Sequence, residues 1–173
     1  MPNPNHQPAA IRLRAMEPED LDLLYQVEND DTLKDVGISN VPYSRFLIRQ
    51  FIADSTGDIY TDKQVRLMIC MGSTTVGMAD LIDFNPQHLR AEVGIMVMQP
   101  YRQQGIAQET LRLLSQYAAQ TLHLHQLYAY VGLDNLPSLQ LFEKAGYRAS
   151  ATLRDWLFDG KKHHDVALMQ LFL

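Results

Sequence analysis

The sequence has one cysteine, no excess of basic residues and no apolar run long enough to span a bilayer. A lone Cys70 excludes an intrachain disulfide, and its neighbours Leu67-Met68-Ile69 and Met71 mark it as a small buried residue. Net charge is −5, from 15 Lys and Arg against 20 Asp and Glu. Bulk electrostatics therefore does not draw nucleic acid to this chain. A mild acidic balance fits a cytoplasmic protein, and also one that takes cationic substrates. A membrane span needs about 20 consecutive apolar residues, so no membrane partner is expected. Metal-ligand spacing is also missing: His123 and His125 alternate, His163 and His164 are adjacent, and neither pair matches a closed zinc site. Residues 1–10 lack the apolar core of a secretory signal and read as a disordered tail.

What remains is the composition of an ordinary globular protein, 46% hydrophobic and 20% charged over 173 residues. That length suits one domain, over residues 11–173, with one sizeable core. Residues 11–15 alternate apolar and basic, as a strand does. Glu17-Pro18-Glu19-Asp20 opens a helix carrying Leu21, Leu24 and Tyr25, whose pattern fades around Asn29-Asp30-Asp31. A second helix begins near Tyr43-Ser44. Residues 64–71, 75–83 and 89–98, separated by Gly72-Ser73-Thr74 and Asn85-Pro86-Gln87-His88, read as an antiparallel meander. Ala107, Leu111, Leu114 and Ala118 form one face of a third helix. A short strand over 126–132 leads to a helix start at Asn135-Leu136-Pro137-Ser138, and Gly146 suits that helix's end. Two last strands meet at Asp159-Gly160. The order β-α-α-β-β-β-α-β-α-β-β predicts a mixed α/β sheet with helices on both faces. The strands flanking the third helix would be parallel neighbours. A splay between them would open a cleft.

The segment between the meander and the third helix carries the chemistry. It reads Val97-Met98-Gln99-Pro100-Tyr101-Arg102-Gln103-Gln104-Gly105-Ile106-Ala107 and contains no acid. A strand runs through a short loop into a helix, so unpaired N–H groups point out of the helix start and attract an anion. The loop lacks the Gly-Lys-Ser/Thr end of nucleotide hydrolases and the three-glycine dinucleotide fingerprint. Arg102-Gln103-Gln104-Gly105-Ile106-Ala107 resembles the R/Q-x-x-G-x-G/A loop of the GNAT N-acetyltransferases. Asn135, Ser138 and Leu141-Phe142-Glu143-Lys144-Ala145-Gly146-Tyr147 follow in the family's order. Ile11-Arg12-Leu13-Arg14, Asp20-Leu21 and Arg90-Ala91-Glu92-Val93-Gly94 are similar to the branch holding ribosomal-protein alanine and spermidine acetyltransferases. So is the ending Asp159-Gly160 to Leu168. Residues 77–95 and Pro42-Tyr43 are nearest the spermidine type. Two departures stand out: many relatives have Gly at Gln103, and spermidine enzymes tend to have acids where Asn40 and Val41 stand.

The resemblance implies a mostly antiparallel, splayed GNAT sheet, acetyl-CoA as cosubstrate, and a small primary amine, a polyamine foremost, as acceptor. It places pantetheine along Ile95, Met96 and Val97, with the Val97 N–H polarising the acetyl carbonyl. It places pyrophosphate on Arg102, Gln103, Gln104, Gly105, Ile106 and Ala107, with Asn135, Ser138 and Lys144 as further cofactor contacts. Several residues keep two readings. Arg102 is a phosphate contact or a solvated loop charge. Asn135 is a helix cap or a cofactor ligand, and is also counted with the catalytic residues. Glu92 is the general base or the partner of Arg90 or Arg66 in a salt bridge. Asp80, Asp83 and Glu28 attract a cationic amine, with Asp30, Asp31 and Asp35 as further acids, or are simply solvated. Phe142 stands where many relatives have a tyrosine that protonates the thiolate, so Tyr130, or Tyr128, is the substitute donor. Two other functions stay open: acetylation of a protein N-terminus, and non-catalytic acyl-CoA binding. Self-association is open as well.

Overall fold

The computed structural model describes residues 10–30 and 41–173; residues 1–9 of the expected 1–10 tail, Asp31, Asp35 and Asn40 lie outside them. Seven strands form one sheet: β1 Ile11–Ala15, β2 Val65–Met71, β3 Thr74–Asn85, β4 Arg90–Val97, β5 Gln126–Gly132, β6 Arg148–Phe158 and β7 His163–Phe172. Their spatial order is β1-β2-β3-β4-β5-β7-β6. Every pairing is antiparallel except β4 with β5. The crossover between those two is a helix, as a parallel pair requires. The helices are α1 Leu21–Glu28, α2 Arg45–Asp54, α3 Ile59–Asp62, α4 Ile106–Gln120 and α5 Leu136–Lys144. The four-residue α3 is absent from the sequence reading because it is too short to show a helical period.

The starts of the helices were legible because capping chemistry is local. The Ser44 hydroxyl accepts the Leu47 N–H at 3.1 Å. Asn135 Oδ1 accepts the Ser138 N–H at 3.2 Å. Arg14 holds the first helix start in place by a two-pronged bond to Asp20, 2.7 Å on each arm, and Asp20 is buried.

Alternation along the strands divides the interior in two. On one face Ile69, Ala79, Leu81, Val93 and Leu127 pack with Leu111 and Leu114 of α4, Phe142 of α5 and Ile59 of α3. On the other, Met68 and Met78 pack with Leu24 of α1 and Ile48 of α2. Cys70 is buried, as its neighbours implied. Covering both faces with helices lets a single sheet bury apolar residues on each side.

Candidate functional site

The site begins where β4 and β5 part. Their parallel register runs Arg90↔Gln126, Ala91↔Leu127, Glu92↔Tyr128 and then stops. Beyond that rung β4 keeps its other partner as far as Gly77↔Val97, and β5 keeps β7 as far as Gly132↔Val166. The two strands therefore diverge while each stays anchored on its outer side. Both point their C-terminal ends toward the open end of the V, so the starts of α4 and α5 flank the opening.

Hydrogen-bond alternation decides which β4 groups face the gap. The Met98 N–H donates to the Val76 carbonyl at 2.9 Å. In an antiparallel ladder this sets the even positions of β4 toward β3 and the odd ones away. Beyond the last rung, Ile95 and Val97 thus turn backbone N–H and C=O groups into the splay. Met96 does not, which corrects the expectation that its backbone serves the cofactor. Its side chain instead lines an opening of about 360 Å³ with Val27, Met98, Pro100 and Arg102.

The loop after β4 has a conformation that its sequence only half announces. Gly105, at the α4 start, has φ 79° and ψ −3°, the left-handed region. A Cβ there would meet nothing within 4 Å, so glycine is needed for backbone freedom and not for room. Gln103 also lies in that region, at φ 61°. Relatives with glycine at this position would avoid the strain that Gln103 carries. The first backbone bond of α4 is Glu109 N–H to the Gly105 carbonyl, 3.1 Å. The N–H groups of Ile106, Ala107 and Gln108 are left pointing out of the helix start. Arg112 pairs with Glu109 at 2.6 Å, so the first acid of the helix is compensated. Arg102 supplies the loop's positive charge, and its Nε is engaged by the Val97 carbonyl at 2.8 Å. That bond ties the loop to the end of β4. Gln104 reaches back to the Pro100 carbonyl, 3.1 Å. Ser138 gives its N–H to Asn135, and exposed Lys144 lies farther off, beside Gln108 and Arg112 in the α4–α5 groove.

At the closed end of the V the ionisable residues sort into two groups. Arg66 donates to both Asp80 oxygens at 2.9 Å and to Glu28 at 2.6 Å. Burial works against the Arg66 charge, but these bonds outweigh it and raise its pKa. Glu28 and Asp80 were expected to attract a cationic substrate; both are instead already paired to one guanidinium. The same contacts remove Arg66 as a partner for Glu92, and among the described residues Glu92 forms no ion pair.

The second group is Glu92, Asp83, Tyr128 and Tyr130. Glu92 stands between Ile82 and Tyr128 in register. Burial, then the charge of Asp83, pushes its pKa up. Asp83 has φ 47° at the irregularity that ends regular β3–β4 pairing, which turns its exposed carboxylate toward Tyr128. The Tyr128 hydroxyl donates to it at 2.5 Å. Burial first, then that bond, drives the Tyr128 pKa up, so Tyr128 is a poor acid. Tyr130 stacks edge-on against Tyr128 and packs on Trp156, with ring centroids 5.7 and 5.5 Å apart. Trp156 of β6 is the residue that the sequence reading missed. Its strand position gave no sign that it would reach Tyr130 across β7. Phe142 is buried in the α4 face, edge-on to Tyr147 at 5.0 Å.

A family model of the GNAT acetyltransferase domain matches residues 10–148. A spermidine N(1)-acetyltransferase of Escherichia coli (strain K12) is 24% identical over 163 residues, 94% of this chain and 86% of the relative. A Bacillus subtilis (strain 168) protein named as a ribosomal N-acetyltransferase is also 24% identical, over 93% of this chain and 90% of its own. The structure of spermidine N-acetyltransferase from Vibrio cholerae in complex with CoA and spermine superposes with a TM-score of 0.83 at 22% identity, covering 94% of this chain and 95% of that one. GNAT acetyltransferases use acetyl-CoA. The chain belongs to the GNAT acetyltransferase family and is an acetyl-CoA-dependent N-acetyltransferase.

Proposed function

We propose that the acceptor is a primary amine of a small polycation, spermidine or a similar polyamine. The observation that carries this is the second group at the closed end of the splay. Glu92 and Asp83 supply negative charge, and Tyr130 with exposed Trp156 supplies an aromatic wall on which an alkylammonium can rest. Spermidine enzymes among the relatives support the same reading.

In this reading the α4 start holds pyrophosphate through the N–H groups of Gln103 to Ala107, with the free arms of Arg102 nearby. The edge of β4 at Ile95 and Val97 pairs with pantetheine as an added strand would. A backbone N–H along this edge polarises the acetyl carbonyl, a contribution of about 3 kcal/mol for one such donor. Glu92 takes the proton of the ammonium through water. Its raised pKa suits it to that exchange. The amine nitrogen then attacks the carbonyl carbon, the C–N bond forms, the C–S bond breaks, the thiolate leaves, and the nitrogen gives its second proton to water. Phe142 has no proton to return to it. Tyr128 is committed to Asp83, so Tyr130 or water completes the step. Asn135 caps α5 and turns toward the cofactor's arm from the other side of the opening. Ser138 and Lys144 are secondary contacts.

One observation favours the second reading, acetylation of a protein N-terminus. Pairing of Glu28 and Asp80 with Arg66 leaves fewer free anions than a polycation site would use. A panel of polyamines and N-terminal alanyl peptides, scored by release of free CoA, separates the two. The proposal expects turnover of polyamines, with rates falling as salt rises. Turnover of peptides alone would overturn it.

A further inference from the structure

Outside the reacting groups, one histidine joins parts of the molecule that flank the opening. His164 of β7 has Nδ1 3.0 Å from Asp134 Oδ2 and Nε2 2.7 Å from Asp159 Oδ2. A neutral imidazole has one N–H and one lone pair. Facing two carboxylates, it would turn that lone pair toward one of them. The Asp159 contact is a hydrogen bond and the Asp134 contact an ion pair, and both are favourable together only when the ring is charged.

The two aspartates belong to separate segments. Asp159 sits at the tip of the β6–β7 hairpin, where it also accepts the N–H groups of Lys161 and Lys162 at 2.8 Å each. Asp134 lies in the turn between β5 and α5, immediately before Asn135. That turn is tight: a Cβ on Gly132 would come within 2.9 Å of Asp134 Oδ1. Asp165, next to His164, extends the junction. Its carbonyl accepts the Leu133 N–H at 3.0 Å. Its carboxylate accepts the N–H of Asp155 at 2.9 Å, and Asp155, beside Trp156, has a left-handed φ of 50°.

We propose that His164, as an imidazolium, is a positioning residue: by bridging Asp159 and Asp134 it locks the turn that presents Asn135 to acetyl-CoA. This rests on the reading of Asn135 as a cofactor contact. The groups facing His164 are Asp159 and Lys162 from the hairpin and Asp134 from the turn. The bond to Asp159 raises its pKa most, Lys162 opposes, and Asp134 adds to the rise, for a net shift above the ordinary 6.5. Asp159 is held well below the usual carboxylate range, by His164 first and then by the two backbone N–H groups. The latch is closed while His164 is charged and both aspartates are ionised, and it opens as pH rises through the raised His164 value.

The test follows the His164 ring by NMR and acetyl-CoA affinity by calorimetry, from pH 6 to 9, in the intact chain. Wild type is compared with His164→Gln, with Asp134→Asn, whose site is 67% exposed and tolerates change, and with Asn135→Ser, which keeps a cap. In wild type, affinity should fall about fivefold as His164 loses its proton, the scale of a partly exposed ion pair. Asp134→Asn should lower the His164 pKa and move that fall to lower pH. His164→Gln should bind weakly at every pH. An affinity profile that is the same in wild type and both latch variants overturns the proposal. If Asn135→Ser binds acetyl-CoA as wild type does, the reading of Asn135 fails instead, whatever the ring titration shows.

Discussion

The two faces of this sheet are built from alternate residues of the same strands, yet they do different work. The face under α4 and α5 is apolar, down to a Tyr147 hydroxyl and a Thr110 hydroxyl that find no hydrogen-bond partner among the described residues. The face under α1 and α2 carries Arg66, Asp80, Glu92 and Tyr128 at or beside the point where β4 and β5 part. One face holds the strands together and the other uses their separation. A substitution should therefore reveal its face by whether it moves stability or rate.

The largest separation should come from a core truncation. Leu114→Ala on the apolar face, where Leu114 is fully buried, should cost about 2–5 kcal/mol of stability. Denaturant unfolding measures that cost, and kcat per folded molecule should hardly move. A comparable loss of kcat would mean that the faces are not independent.

Glu92→Gln is the mirror image. It should lower kcat by about a hundredfold, the lower end of general base catalysis. Its effect on stability should have the opposite sign. A carboxyl whose folded-state pKa is raised favours folding below its ordinary value of 4.5 and loses that contribution as pH rises through the raised value. Thermal unfolding should therefore show Glu92→Gln more stable than wild type at pH 8, with the gain vanishing near pH 4. Asp83→Asn removes the Coulombic part of the shift and leaves the part due to burial. The acid limb of the kcat/KM profile should move to lower pH. A limb that stays in place would detach Asp83 from Glu92.

The two left-handed residues of the α4 loop sharpen the comparison further. Gly105→Val forces a β-branched residue to φ 79°, at a cost of about 1–2 kcal/mol or more. If the loop holds pyrophosphate, acetyl-CoA affinity should fall about tenfold in calorimetry. Gln103→Gly at φ 61° should do the reverse, raising stability by less than about 1 kcal/mol, because relief of strain is partly offset by the entropy of glycine. The smallest effect is expected at Tyr147→Phe. Removing an unbonded buried hydroxyl should be neutral or stabilising by up to about 1 kcal/mol in a melt.

Much of the fold was legible from single segments. Ser44 and Asn135 announced helix starts, because a cap bonds to an N–H only three residues away. The alternating strands of the meander announced themselves by a two-residue period. Gly105 marked the loop, and the residues around it carried the family resemblance. The site was less legible. Arg66 bonds Glu28 and Asp80 from 38 and 14 residues away, and the sequence left Arg66 open as one alternative partner of Glu92, because only register could show otherwise. Gln103 looked like a mere departure from the family, since no local signal tells a non-glycine residue that it will sit at positive φ.

Order of elements, helix starts, the glycine loop before α4 and the family were thus determined by the sequence itself. Each rests on interactions within a turn or two of chain. Tertiary structure alone decided where β4 and β5 part, that Arg66 takes up two of the expected acids, that Tyr128 commits its proton to Asp83 from 45 residues away, and that His164 joins Asp134 to Asp159. Those outcomes depend on register and on a strand irregularity at Asp83. A shift of one residue in either would turn the same side chains to the opposite face.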